Sequence, residues 1–359
     1  MVTQENRRKR ALIADIVIVL LIAAAMVLYH VGSHRDAQYT EAMLQRATQS
    51  ENTIQKNRQA GNAIFYQLKL ELSEATEGIV CWGDESMAGN RRGSLPNQLD
   101  KTVKMALFSG ISDEFYSAAG VYSLSELAVP LANMAVCDES MREILARTGV
   151  TQLAVATDYT IHASTSSANI NLADNEGRPL LFADQQYAKF GTVTIEGIKG
   201  YFYKSLNGGN WQHPKLAFGR MASGEETQVP AGTPVYTENA QKYVGRSPVL
   251  FFNAPEDGDT DAFVKALEAI VARHTGPGAV VICTTDKDSA ADTALSARFG
   301  SRYIRNAKTP EDMEAADYVS LALQVYNNLN AQGCFNSVNA SVETARNGLK
   351  ELRRNKYTG

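Results

Sequence analysis

The chain has 359 residues, of which 44% are hydrophobic and 21% charged, and its net charge is −4. This composition excludes a mostly disordered chain, and the length suffices for two domains or for one domain with an insertion. The slightly acidic balance argues against a nucleic-acid-binding protein. Four cysteines and five histidines are too few for a disulfide scaffold or a pair of zinc ribbons.

The N-terminal region carries the strongest local signal. A basic tail, residues 1–10, ends in four consecutive cationic residues and precedes the apolar segment 11–31. An apolar helix of about 20 residues spans a bilayer core, and cationic residues favour its cytoplasmic side. We therefore expect a single-pass transmembrane signal anchor in the cell membrane, with a cytoplasmic N-terminus and an extracytoplasmic C-terminal domain. A cleaved signal peptide is the alternative, although the small residues Ala23 and Ala25 lie inside the apolar run.

Residues 35–76 contain no proline and one glycine, and they are rich in residues that favour helices. Apolar residues such as Met43, Ile54 and Phe65 form only a broken stripe, without sustained heptads. We predict a helical stalk whose last turns pack on the domain that follows. A stalk that dimerises is the alternative.

From residue 77 onwards, short apolar runs alternate with helical segments, and a helical tail covers residues 311–355. This alternation predicts a parallel sheet with functional loops at the carboxyl ends of its strands. Residues 151–246 differ, because alternating apolar and polar residues are broken there by glycine-rich turns, which predicts an all-β insert. The parallel-sheet domain is therefore expected in two parts, residues 77–150 and 247–355.

Several loops resemble those of SGNH (GDSL-type) hydrolases. The sequence GIVCWGDESMAG at residues 78–89 resembles the first block of that family, and NMAVCDES at residues 133–140 resembles its second block. Residues 193–200 and 231–235 are similar to the β-rich insert of a bacterial, membrane-anchored subgroup. The resemblance covers roughly residues 76–350. It implies a flavodoxin-like three-layer sandwich with a parallel sheet.

The resemblance also implies ester hydrolysis by a serine in the first block, with oxyanion donors in the second and third blocks and an Asp–His pair in the fifth. This chain departs from that pattern at each position. Glu85 stands at the nucleophile, Asp138 at the oxyanion glycine and Pro255 at the oxyanion asparagine. Gln332 and Phe335 stand where the fifth block would supply aspartate and histidine. A carboxylate repels a developing oxyanion, and loss of the nucleophile or the base alone costs orders of magnitude in rate.

We therefore predict a catalytically inactive, SGNH-like protein that acts as a binding or scaffold module at the cell surface. Its expected partner is a cell-wall glycan or an envelope protein, and no cofactor is expected. The alternative is an active acyl or carbohydrate esterase with a rearranged site, in which Ser86 is the nucleophile and Asp84, Glu85 or a distant histidine serves as its base. A structural role in an envelope complex, through the stalk, is a third possibility.

Two further groups of residues surround the former catalytic positions. Cys137 and Cys334 are expected in loops at that site, where they form either a disulfide or thiol pair, or two small apolar fillings of a closed pocket. Four carboxylates are expected near one rim of the site: Asp84, Glu85, Asp138 and Glu139. We interpret them as a solvated acidic edge and expect no metal; a Ca²⁺ or Mg²⁺ site is the alternative.

Overall fold

A computed structural model describes residues 4–74, 78–119, 126–182, 189–205, 215–255 and 259–358. The helices are α1 (Gln4–Glu74), α2 (Glu85–Ala88), α3 (Leu95–Ala119), α4 (Met141–Arg147), α5 (Glu238–Lys242), α6 (Thr260–Arg273), α7 (Ala290–Phe299), α8 (Ala315–Ala331) and α9 (Asn336–Thr358). The strands are β1 (Ile79–Gly83), β2 (Leu131–Asn133), β3 (Leu153–Val155), β4 (Tyr159–Ile161), β5 (Ala168–Asn169), β6 (Leu172–Ala173), β7 (Pro179–Leu180), β8 (Val193–Ile195), β9 (Ile198–Ser205), β10 (Lys215–Arg220), β11 (Thr227–Val229), β12 (Pro234–Thr237), β13 (Ser247–Asn253), β14 (Val280–Thr284) and β15 (Tyr303–Asn306).

Five of these strands form a parallel sheet in the order β15-β14-β13-β1-β2. Counted along the chain within this sheet, the order is 2-1-3-4-5, which is one of the two common orders of doubly wound α/β sheets. β1 pairs with β13 on one side and with β2 on the other. The topological switch therefore lies between β1 and β13.

Helices cover both faces of this sheet. On one face, α3, α8, α9 and the last turns of α1 pack on alternate strand residues such as Cys81 and Phe251. On the other face, α4, α6 and α7 pack on the residues between them, such as Trp82 and Phe252. Strands buried on both faces are typical of parallel sheets, and the predicted α/β class with a parallel sheet is confirmed.

An antiparallel half-barrel sheet of eight strands lies between α4 and β13 in the chain. Its order is β5-β10-β9-β8-β12-β3-β6-β7, and β4 pairs separately with β11. Phe190, Phe202 and Phe218 form its core, with ring centroids 5.0 and 6.1 Å apart in edge-to-face contacts. All ten strands fall inside the predicted insert, residues 151–246.

The predicted stalk is part of a single long helix, α1, whose last turns pack on the domain. Phe65, Leu68 and Leu72 are buried there, and the Phe65 ring meets Phe115 of α3 edge to face at 5.3 Å. The tail predicted as one helical stretch from residue 311 is two helices. α8 and α9 are separated at Gly333, whose φ of +81° favours glycine.

The predicted transmembrane anchor, residues 11–31, lies in the first half of α1. Among the residues that the structure describes, no helix is long and apolar enough to cross a membrane.

Candidate functional site

The candidate site lies at the carboxyl edge of the parallel sheet, at the switch between β1 and β13. Asp84 follows β1 and caps the N-terminus of α2. Its Oδ1 accepts a hydrogen bond from the Ser86 N–H at 2.8 Å, and its Oδ2 accepts one from the Asn253 N–H at 3.2 Å. One carboxylate thus holds the turn after β1 against the end of β13.

The environment of Asp84 disfavours its charge. Burial raises the pKa of this carboxyl group, and the neighbouring Glu85 adds to the effect. The hydrogen bonds from Ser86 and Asn253 lower the pKa and offset part of this rise. Both carboxylate oxygens of Asp84 accept hydrogen bonds from backbone N–H groups. Asp84 therefore acts here as the N-cap of α2.

Glu85 is the first residue of α2, and its side chain is half-buried. Its Oε1 accepts a hydrogen bond from Nδ2 of Asn253 at 3.3 Å. The turn is tight, because a Cβ on Gly83 would overlap the carbonyl oxygen of Phe251 and lie 2.6 Å from Cβ of Met87. Position 85, to which the resemblance assigns the nucleophile, therefore holds a carboxylate bound to the end of β13.

Ser86 points into the protein. The residue is 0% exposed, and its Oγ has no hydrogen-bond partner. A nucleophilic hydroxyl needs both access to the substrate and an adjacent base. The structure gives Ser86 no access to solvent, which argues against the alternative in which it attacks an ester.

Cys137 and Asp138 lie exposed on the loop after β2, and Asp138 adopts a left-handed φ of +57°. Burial raises the pKa of the Cys137 thiol, and the charges of Asp138, Glu85 and Asp84 raise it further. Three of the four predicted carboxylates thus act on this thiol electrostatically. A thiol held protonated in this way is a poor nucleophile.

Glu139 is not part of this rim, contrary to the prediction. It is buried and forms an ion pair with Arg147, with both side chains 0% exposed. The Arg147 guanidinium also donates to the carbonyl of Met134 at 2.8 Å and lies 5.1 Å from the ring centroid of Trp82. In the described part of the chain, no group of three or more His, Cys, Asp or Glu side chains is arranged to hold a metal ion.

Pro255 lies two residues beyond the end of β13 and is half-buried. It has no N–H to donate. The side-chain amide of Asn253, two residues earlier, is engaged by Glu85. One of the two N–H groups of that amide is therefore committed to Glu85 rather than to a substrate oxyanion.

The predicted fifth block lies at the wrong edge of the sheet. Gln332 ends α8 and binds Ala279, just before β14, through both its Oε1 (3.1 Å) and its Nε2 (2.9 Å). Phe335 is buried and stacks on Tyr326. The reason is that α8 starts near the carboxyl end of β15 and runs back to the amino edge. Its end therefore cannot contribute to a site beside Glu85.

None of the four cysteines forms a disulfide, so the first of the two alternatives for Cys137 and Cys334, a disulfide, is not formed. Cys334 is 5% exposed and lies at the amino edge, where the Ser247 hydroxyl approaches its sulfur at 3.4 Å. A Cβ on Gly278 would lie 2.6 Å from the same sulfur. Cys334 therefore fills a buried space, and the exposed Cys137 lies at the opposite edge.

Two histidines of the domain, His162 and His274, form contacts away from the candidate site. His162 faces Glu226 in the insert at 3.9 Å. His274 ends α6, where its Nε2 accepts a hydrogen bond from the Trp82 indole at 3.3 Å and its Nδ1 contacts the carbonyl of Ile270 at 2.8 Å. His213 lies outside the described residues.

The sequence reasoning missed two contributions to this edge. The loop after β15 reaches the first-block loop, since Nδ2 of Asn90 donates to the carbonyls of Pro310 and Met313. Within that loop, the Thr309 hydroxyl donates to Oδ2 of Asp312 at 2.8 Å. The Thr-Pro-Glu-Asp sequence at residues 309–312 favours a turn. The predicted helical tail, residues 311–355, includes its last two residues.

The other contribution is Lys189, which reaches from the insert to the end of β2. Its Nζ donates to the carbonyl of Asn133 at 2.6 Å. Burial lowers the pKa of Lys189, as does the nearby Arg147, while Glu139 acts in the opposite direction. No sequence pattern indicated that the side chain of this lysine would contact the edge of the parallel sheet.

No protein-family model, no curated protein and no solved structure matches this chain.

Proposed function

We propose that this chain is a non-catalytic binding or scaffold module at a cell surface, built on an SGNH-hydrolase-like sheet. The contact between Glu85 and Asn253 at the topological switch carries the proposal. In an SGNH hydrolase, this turn presents the nucleophilic serine. Here it presents a carboxylate that is already bound by the side-chain amide of β13.

The remaining groups at this edge also disfavour acyl transfer. The exposed carboxylate of Asp138 stands where the resemblance expects an oxyanion donor, and a negative charge there would destabilise the transition state. Ser86 is buried, and His274 is bound to Trp82 on the other side of β1. Acyl transfer needs a nucleophile, a base and an oxyanion site in one place, and the burial of Ser86 and the charge of Asp138 both count against this.

The strand order supports the resemblance on which this proposal is based. A sheet ordered 2-1-3-4-5, with the first-block and third-block residues meeting at its switch, is what the SGNH resemblance implies. The position of the antiparallel insert, between α4 and β13, agrees with the same resemblance.

We further propose that the N-terminal part of α1 attaches the module to a membrane, with the domain on the outer side. The large apolar side chains at positions 17–22 and 26–29 are all exposed. A helix that is apolar on every side is stable only when something apolar surrounds it. The basic residues 7–10 before this stretch favour the cytoplasmic side.

Ester hydrolysis by the purified full-length chain tests the catalytic part of the proposal. We expect the chain and its Ser86→Ala variant to release nitrophenol from nitrophenyl acetate and butyrate no faster than buffer. Hydrolysis that disappears in Ser86→Ala would overturn the proposal and establish the rearranged esterase instead.

Binding and attachment have their own tests. We expect the chain to co-sediment with isolated cell-wall polymer or to retain an envelope protein, and to remain with membranes after an alkaline wash. Release by that wash would refute the attachment and leave the binding role to be judged by co-sedimentation.

A further inference from the structure

The apolar stripe of α1 extends beyond the part that the domain covers. Phe65, Leu68 and Leu72 are buried, whereas Met43 and Ile54 are 50% and 55% exposed. At about 100° per residue, these five side chains lie within about 60° of one another around the helix axis. The exposed residues therefore continue the face that already packs on the domain.

The covered part of this face is a helix pair with α9. Cδ1 of Ile64 lies 3.1 Å from where a Cβ on Gly348 would stand, and Glu71 is hydrogen-bonded to Ser341. Seven residues separate the two contacts on each helix, in opposite directions, so the helices are antiparallel. α9 buries a regular seam with spacings of three and four residues: Phe335, Val338, Val342, Ala345 and Leu349. Such spacing is typical of coiled-coil packing.

On α1, positions at the same spacing continue from the covered part into the exposed part, with large apolar side chains at four of the eight. These positions alternate in steps of four and three residues: Met43, Ala47, Ser50, Ile54, Asn57, Gly61, Ile64 and Leu68. Gly61 and Leu68 are buried, and the first four positions are exposed. Helices in proteins gain most of their stability from packing of an apolar face, and this exposed part of α1 packs on none of the described residues of the domain.

We propose that residues 39–57 of α1 pair with the same segment of a second copy in a parallel two-stranded coiled coil. Parallel pairing sets Ile54 against Ile54 of the other copy and Met43 against its counterpart. It also brings Arg46 of each copy next to Glu51 of the other copy, five positions further along the chain. The two-fold symmetry of the pair gives two such ion pairs. Charges at that spacing flank the seams of parallel coiled coils.

The parallel direction rests on the membrane attachment proposed above, because two copies attached by their N-termini to one membrane have parallel stalks. The seam itself is weak, since Ser50 and Asn57 interrupt its apolar positions. Polar seam residues lower stability but favour a single register. The pairing is therefore specific and of modest affinity, and it is strengthened where attachment confines the copies to one surface.

Cysteine cross-linking of the full-length chain in membranes tests the pairing. The background is Cys137→Ser, because Cys137 is exposed and the other three cysteines are buried. We expect Ile54→Cys and Met43→Cys to give mainly disulfide-linked dimers on mild oxidation. Asn52→Cys, on the opposite side of α1, is the matched control and should give at least five-fold less. Equal cross-linking at positions 54 and 52, or a product with the mass of a different protein, would overturn the proposal.

The double variant Met43→Cys/Ile54→Cys fixes the direction. A dimer linked only between positions 43 and 54 would mean antiparallel stalks and would overturn the parallel arrangement. Sedimentation of the purified chain in mild detergent gives an independent reading. We expect a dimer that Ile54→Glu converts to a monomer and Asn52→Glu leaves intact. A dimer that forms although the chain is released from membranes would refute the attachment alone, whereas a monomer that stays in membranes would refute the pairing alone.

Discussion

Oε1 of Glu85 accepts a hydrogen bond from Nδ2 of Asn253 at 3.3 Å, which joins the turn after β1 to the end of β13. The same two elements are joined a second time through Asp84 and the Asn253 N–H. A side chain introduced at position 85 therefore enters a turn whose backbone is already held in place.

The first prediction concerns a serine at this position. We expect Glu85→Ser to show no more hydrolysis of nitrophenyl esters than Glu85→Ala, because a serine there still lacks a base and still faces Asp138. Initial rates of the two variants beside buffer provide the measurement. Turnover in Glu85→Ser alone would mean that a working base and oxyanion site exist at this edge.

The second prediction concerns acid and His274. Burial lowers the pKa of His274, the charge of Arg273 also lowers it, and the bond to Ile270 only partly opposes these effects. The folded state therefore disfavours the protonated imidazole. The stability that this residue provides is fully present above the unfolded pKa of 6.5 and is lost as the pH falls below that value.

Thermal unfolding between pH 7.5 and pH 5 measures this effect, and the emission of Trp82 reports on the local contact. We expect the melting temperature to fall with pH, and to fall less steeply in His274→Gln, which carries no titratable group. Identical pH profiles for the two proteins would contradict the prediction.

The third prediction concerns Asp174, which joins the insert to α4. The residue is 2% exposed and binds Arg142 of α4 at 2.9 Å and Arg178 of the β6–β7 turn at 2.8 Å. Burial alone would raise the pKa of Asp174, but hydrogen bonds from Arg178, Arg142 and the Glu176 N–H together lower it to about 2. The corresponding stability is present above pH 3.8, the ordinary value, and is lost as the pH falls towards about 2.

Asp174→Asn should therefore lower the free energy of unfolding by about 1–3 kcal/mol at neutral pH, because charged hydrogen bonds are lost in a buried position. Urea denaturation provides the measurement. Glu176→Gln, at an exposed neighbour of the same turn, is the matched control and should change stability by less than about 0.5 kcal/mol. Equal effects of the two substitutions would show that Asp174 does not tie the insert to α4.

The fourth prediction concerns the close approach at Gly83. Gly83→Ala should destabilise the protein by about 2 kcal/mol or more, because the added Cβ overlaps the carbonyl of Phe251 and crowds Met87. Gly245→Ala is the control, since a Cβ there meets nothing within 4 Å. Urea denaturation of both variants measures the difference. A Gly83→Ala protein as stable as Gly245→Ala would mean that β1 and β13 can separate at no cost.

Much of the fold could be predicted because it is encoded locally. The apolar run before Asp84, buried on both faces, indicated a central parallel strand with a loop at its carboxyl end. The alternating residues of β8 and β9 indicated the antiparallel insert. Each of these signals is a periodicity within a few residues, which a strand imposes wherever it lies.

The candidate site could be predicted only in part. Placing Asp84, Glu85 and Asn253 together needed only the rule that strands deliver their loops to one edge. The prediction for Glu139 was wrong because a carboxylate in a loop is normally solvated. Here the ion pair with Arg147 allows it to be buried. The prediction was also wrong for the end of α8, because α8 ends at the amino edge of the sheet and not at the carboxyl edge. This applies to Gln332, Cys334 and Phe335.

The sequence by itself determined the α/β alternation, the insert and the run of two carboxylates, Asp84 and Glu85, after the first strand, because residue identity and short-range periodicity suffice for these. Only the tertiary structure decided that Ser86 faces inwards, that Cys137 and Cys334 lie at opposite edges, and that Lys189 reaches β2. Each of these depends on the direction in which a helix or loop leaves the sheet. That direction is set by long-range packing between segments far apart in the chain, which no local pattern records.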